Sequence, residues 1–171
     1  MKRLLLLRHA KSSWDDPDLT DIERPLAPRG VEAALLIGHT IAQRNWLPDL
    51  ALVSAAERTR ETWRLAAGEW LSRPEPRFSQ ALYEVPAEAI LGEIQRNGEN
   101  AETLLVLGHN PGLGDLANRL AGKASPGKLV KSLKRKFPTG ALAVFEFEGD
   151  WTSLAVGAAT LSHFLRPKNL G

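Results

Sequence analysis

Leu4 to Leu7 is an uninterrupted apolar run, the pattern of a strand covered on both faces. Arg8-His9 ends it. The stretch from Lys11 to Arg29 is polar and carries Pro17, Pro25 and Pro28, so it reads as loop. From about Gly30 to Asn45 the apolar residues Ala34, Ile37 and Ile41 recur at helical spacing. Leu50 to Val53 reads as a second short strand, and Ser54 stands where it would cap a helix over Ala56 to Leu71. Pro74 and Pro76 break the chain, Leu82-Tyr83-Glu84 falls in the next loop, and Pro86 opens a helix reaching about Arg96. Thr103 to Leu107 is the third apolar strand. After it come Gly108-His109-Asn110-Pro111-Gly112 and a helix over about Leu113 to Ala121. Gly140 to Glu148 and Ala158 to Leu165 read as strands, separated by a turn at Gly149-Asp150.

Strands alternating with helices predict an α/β fold: a three-layer α/β/α arrangement around a mostly parallel central sheet. The last two strands are candidates for an antiparallel pairing at one edge. No linker, repeat or low-complexity segment divides residues 1–171, so a single domain is expected. Basic and acidic residues number 22 and 20, a net charge of +2, which gives no global case for binding nucleic acid. The chain has no cysteine, which excludes disulfides, thiolate metal sites and thiol chemistry. The basic start and the run Leu4–Leu7 imitate a signal peptide, but the run is too short. No stretch approaches the ~20 apolar residues of a membrane span. A cytoplasmic location, no membrane partner and a monomer are the expectations.

In open α/β sheets, ligands bind beyond the carboxyl ends of the strands. Three such ends carry unusual residues here: Arg8 and His9 after the first strand, Ser54 and Arg58 after the second, His109 after the third. Arginine matches phosphate oxygens with a planar, permanently charged fork. A neutral imidazole is a competent nucleophile near pH 7. Phosphoryl transfer needs positioning and positive charge around the equatorial oxygens. Arginines and a second imidazole supply that charge, so neither a metal nor another cofactor is called for.

Leu7-Arg8-His9-Ala10-Lys11 resembles the Arg-His-Gly signature of the histidine phosphatase superfamily, which includes the phosphoglycerate mutases. Three later segments match in order: Arg24-Pro25-Leu26 to Gly30, Ser54-x-x-x-Arg58 with Thr62, and Gly108-His109-Asn110-Pro111. The short chain, Lys11-Ser12-Ser13-Trp14 and Phe137-Pro138-Thr139-Gly140 look most like the SixA-type phosphohistidine phosphatases. The resemblance implies a phosphoglycerate mutase-like fold. It implies that His9 is phosphorylated and that Arg8, Arg58 and His109 bind the transferring phosphoryl group. It makes Glu84 the candidate proton donor. Ala10 replaces the usual glycine, which a negative φ would tolerate. Ser12 and Asn110 are further candidates for phosphate contact. The implied substrate is phosphohistidine in a protein. A small phosphorylated metabolite, or phosphate binding without catalysis, is the alternative. The mutases' long insertions have little room here, so a shallow, open pocket is expected.

Other features invite weaker readings. His39 and His163 are read as surface or structural, and no histidine pair has metal-ligand spacing. Gly122 to Leu129 nearly fits a P-loop, but Leu129 stands where Ser or Thr should, so an ATP site is dismissed. Lys123, Lys128, Lys131, Lys134, Arg135 and Lys136 form a basic run, read as a solvated loop, with a docking patch for an acidic or phosphorylated partner as the rival. The acidic residues Asp15, Asp16, Asp18, Asp21 and Glu23 lie near the site by sequence. Trp14 is either a pocket wall or a core anchor.

Overall fold

A computed structural model describes residues 1–170. The strands are β1 (Lys2–Arg8), β2 (Leu50–Ser54), β3 (Arg77–Ser79), β4 (Thr103–Gly108), β5 (Leu142–Phe147) and β6 (Thr160–Leu165). The helices are α1 (Pro28–Gln43), α2 (Glu57–Ala67), α3 (Ala87–Asn97), α4 (Gly112–Leu120) and α5 (Gly127–Arg135). The strands form one sheet in the order β3-β2-β4-β1-β5-β6. β3, β2, β4 and β1 pair in parallel, while β1–β5 and β5–β6 are antiparallel. The last two strands do pair antiparallel, but the reversed strand is β5, one place in from the edge. Edge strand β6 runs in the same sense as β1.

β1 shows why its apolar run is continuous. Leu4 and Leu6 face one core with Ile90, Ile94, Leu113 and Leu116 of α3 and α4. Leu5 and Leu7 face the other, with Ile37 and Ile41 of α1 and Trp63 of α2. Successive strand side chains point to opposite faces, so a strand covered twice must be apolar at every position. This is the three-layer arrangement expected from the alternation of elements.

Two elements escaped the pattern. β3 is three residues long with Arg77 and Phe78 exposed, too short to show a period. α5 replaces the loop expected over the basic run. It buries only Leu133, with Leu129 and Val130 half-buried, and exposes Lys128, Lys131, Lys134 and Arg135. Its lysines obscure an apolar stripe at helical spacing. Ser54 does not cap α2. The N-cap is Ala56, and Ser54 is turned toward His109, as described below. α2 also ends four residues before the expected Leu71, at Ala67, ahead of Gly68.

The chain runs outward from β1 through β2 to β3, then returns to place β4 between β2 and β1. This reversal puts the carboxyl ends of β1 and β4 side by side. Arg8 pairs with Gly108, and the His9 amide donates to the Gly108 carbonyl at 3.1 Å. The two histidines that follow these strands are therefore neighbours for topological reasons.

Candidate active site

His9 is 6% exposed. Its Nδ1 lies 2.8 Å from the Ala10 carbonyl oxygen. A carbonyl only accepts, so Nδ1 carries the proton and Nε2 keeps a free lone pair. Burial is the largest influence on the ring; with Arg58, Arg8 and Arg24 it outweighs the Ala10 hydrogen bond and lowers the pKa to about 4. The backbone holding the ring is braced: the Ala10 amide donates to Thr62 Oγ1 at 3.1 Å, and that hydroxyl donates to the Arg58 carbonyl at 2.7 Å. Ala10 is absent from the residues with positive φ, so its Cβ is accommodated, packed beside Leu26 and Ala34.

His109 lies with its ring centre 5.3 Å from that of His9. Its Nε2 is 2.7 Å from Ser54 Oγ, and its Nδ1 is 3.4 Å from an Arg58 amino group. The guanidinium can only donate, so Nδ1 accepts and Nε2 donates to Ser54. Burial first, then the neighbouring His9 and Arg58, push its pKa down to about 3. Both rings are therefore neutral at pH 7.

Arg58, in the first turn of α2, is 2% exposed. It donates to the Asp21 carbonyl at 2.8 Å, to Asp21 Oδ2 at 3.0 Å and to Glu84 Oε1 at 2.9 Å. Arg8 donates to the Phe137 carbonyl at 3.1 Å. Burial and the charge of Arg58 lower the pKa of Arg8. The buried Nε of Arg8 and the buried Nε of Arg58 both lack a partner. Arg8, Arg24 and Arg58 together give the pocket a positive wall suited to an anion.

Glu84 is brought to the site at the loop after β3. It adopts φ +54°, a left-handed conformation that non-glycine residues seldom take and that concentrates at functional sites. Its Oε1 lies 4.0 Å from His109 Nδ1. Ser12 Oγ accepts from Arg24 at 2.9 Å. Asn110 donates to the Phe137 carbonyl at 2.8 Å and accepts from the Gly114 amide at 3.1 Å, so it braces the 137–140 segment while bordering the pocket. Trp14 is 72% exposed and stacks on Arg24, whose guanidinium carbon is 3.5 Å from the ring centre. It is a pocket wall and no core anchor. The pocket is a concavity of about 330 Å³ that includes all seven sequence-predicted candidates, Arg8, His9, Ser12, Arg58, Glu84, His109 and Asn110.

Several contributors were not singled out from sequence. Asp21 binds Arg58, Arg24 Nε (3.2 Å) and the Tyr83 hydroxyl. Burial alone would raise its pKa; the Tyr83 hydrogen bond and the two arginines prevail and hold it near 2. Nothing distinguishes Asp21 from its acidic neighbours along the chain. Tyr83 stands edge-on to His109, ring centres 5.4 Å apart; its position beside Glu84 was the available signal. Lys11 and Thr139 also border the pocket. His39 is exposed and His163 packs on Trp46 with centres 4.8 Å apart, both away from the pocket. Among the described residues, no three His, Asp or Glu side chains converge to hold a metal ion, and no helix is long and apolar enough to cross a membrane.

Residues 4–101 match the sequence profile of the histidine phosphatase superfamily (branch 1). The chain is 36% identical to an uncharacterized protein of Mycobacterium tuberculosis, over 95% of this chain and all of that one. It is similar to a solved structure from Nakamurella multipartitia provisionally named phosphohistidine phosphatase SixA. The TM-score is 0.85 and the identity 30%, over 97% and 96% of the two chains. A protein of Agrobacterium tumefaciens with the same provisional name gives a TM-score of 0.82 and 28% identity, over 97% and 98%.

Proposed function

The chain belongs to the histidine phosphatase superfamily, and we propose that within it this protein removes phosphate from phosphohistidine in proteins, without a metal, by way of a phosphorylated His9. One observation carries the reading: the bond from His9 Nδ1 to the Ala10 carbonyl leaves a neutral Nε2 lone pair in a pocket lined by Arg8, Arg24 and Arg58. The likeness to two proteins provisionally named for phosphohistidine supports the substrate class. So do the exposed Trp14, Asp21 and Glu84, which leave a phosphate carried on a protein surface room to enter.

In the first step His9 Nε2 attacks phosphorus in line. A P–N bond to His9 forms as the P–N bond to the substrate imidazole breaks, and the departing imidazole takes up a proton from solvent, which the attacking water returns in the second step. Arg8 and Arg58 neutralise the equatorial oxygens, and His109 donates to them from Nδ1 once that nitrogen has taken up a proton. In the second step water attacks phosphorus, the bond to His9 breaks, and inorganic phosphate leaves with His9 neutral again. Glu84 protonates the leaving oxygen when the substrate is a phosphate ester.

Phosphate release is measured from phosphohistidine and from an aryl phosphate, with EDTA present, for wild type and His9→Ala. Wild type is active on both, and His9→Ala is inactive. Full activity in His9→Ala rejects the covalent route. Loss of wild-type activity in EDTA rejects metal independence. Release from the aryl phosphate alone rejects the phosphohistidine reading.

A further inference from the structure

Beside the catalytic pocket lies a larger concavity of about 560 Å³ between α1, the 136–139 segment and the turn after β6. The two share Lys11 and Thr139. Apolar surface comes from Ala33, Leu36, Pro138 and Pro167. Charge comes from Lys11, Arg29, Lys136, Arg166 and Lys168, against the single acid Glu32.

None of these five cations is in an ion pair among the described residues. Elsewhere on the surface, Arg64, Arg77, Arg96 and Arg119 each meet a carboxylate, while Lys128, Lys131, Lys134 and Arg135 of α5 stand apart from any concavity shared with the site. A solvated face needs no such segregation, and the chain as a whole is nearly balanced at +2. Five like charges around one concavity raise its potential and attract anions. No aromatic side chain lines it, so bases would find no stacking platform. Mixed aliphatic and cationic walls suit carboxylate side chains on a polypeptide. Lys11 and Thr139 border both concavities, so the groove adjoins the pocket of His9 and one molecule can reach from one to the other.

We propose that this groove seats an acidic segment of the phosphoprotein substrate beside the phosphorylated residue, and so selects among targets. The identity of the phosphorylated residue rests on the preceding reading; the groove's preference for an acidic chain does not. Of the basic run in the sequence, Lys136 alone lines the groove.

The test uses two fluorescein-labelled, unphosphorylated peptides, one with glutamate at alternate positions and one with glutamine there, plus a labelled thymidine oligonucleotide. Anisotropy reads binding to wild type and to a variant combining Arg29→Gln, Lys136→Gln and Arg166→Gln. The glutamate peptide should bind wild type about tenfold tighter than the glutamine peptide at low salt, and the preference should vanish at high salt. The variant should lose the preference while hydrolysing an aryl phosphate at the wild-type rate, which also shows that it is folded. Equal binding of the two peptides, a preference surviving in the variant, or tighter binding of the oligonucleotide overturns the proposal. Phosphohistidine peptides carrying the same flanks separate the two readings. If they are not hydrolysed while the glutamate preference persists, the substrate reading fails and the groove stands.

Discussion

Lowering the pH from 7 to 5 should leave His9 and His109 unprotonated in the folded protein. An imidazole with the ordinary pKa of 6.5 is only about 9% neutral at pH 5.5, whereas one at about 4 is about 97% neutral. At pH 5.5 the available fraction of the nucleophile is thus about tenfold that of an exposed histidine. The same displacement has a consequence for stability. The folded pKa values lie below the unfolded value, so the unfolded chain takes up protons first. Each ring's contribution is complete above about pH 6.5 and is lost as the pH falls toward 4 for His9 and 3 for His109. Between pH 7 and pH 5 the loss is about 2 kcal/mol for each ring. Imidazole NMR titration reads the protonation directly, since the chain has four histidines. Urea unfolding at the two pH values reads the stability, and the wild-type advantage over His9→Gln should shrink by about 2 kcal/mol. A midpoint near 6.5 for either ring, or parallel pH profiles for wild type and His9→Gln, would refute the reasoning.

Other outcomes follow from individual contacts. Glu84→Gln should cost about 10²–10⁴-fold in kcat on an alkyl phosphate but under about tenfold on phosphohistidine, whose imidazole leaves more readily; an equal loss on both removes Glu84 as proton donor. Ser54→Ala leaves the buried Nε2 of His109 without its acceptor and should destabilise by about 1–3 kcal/mol in urea unfolding, with a fall in kcat that Ser54→Thr partly restores. Gly30→Ala places a Cβ against the Lys11 carbonyl. It should destabilise by about 1–3 kcal/mol and lower phosphatase activity, because the displaced segment adjoins His9; wild-type stability and activity would show that the backbone yields freely there.

Much of the architecture was legible because the determining patterns are local. β1 read as a doubly covered strand and β4 as an apolar one, and both are buried between helices. Arg8, His9 and His109 were legible for the same reason, as polar residues ending apolar runs. α5 was misread because a dense run of lysines looks solvated until Leu129, Val130 and Leu133 are seen to share a face. Ser54 was misread because a serine before a helix usually caps it, whereas here a histidine from a strand two crossovers later takes its hydroxyl.

The sequence by itself determined the order of the strands and helices other than β3 and α5 and the residue types at the strand ends, because side-chain period and backbone punctuation act within a few residues. Only the tertiary structure decided which residues surround those histidines. Asp21 meets Arg58 and Tyr83 across separations of 37 and 62 residues. The cationic groove joins α1 to the segments at 136–139 and 166–168. Such contacts depend on how the sheet orders its strands and folds loops over their ends, and the reversal that sets β4 beside β1 leaves no mark on the neighbours of any one residue in the chain.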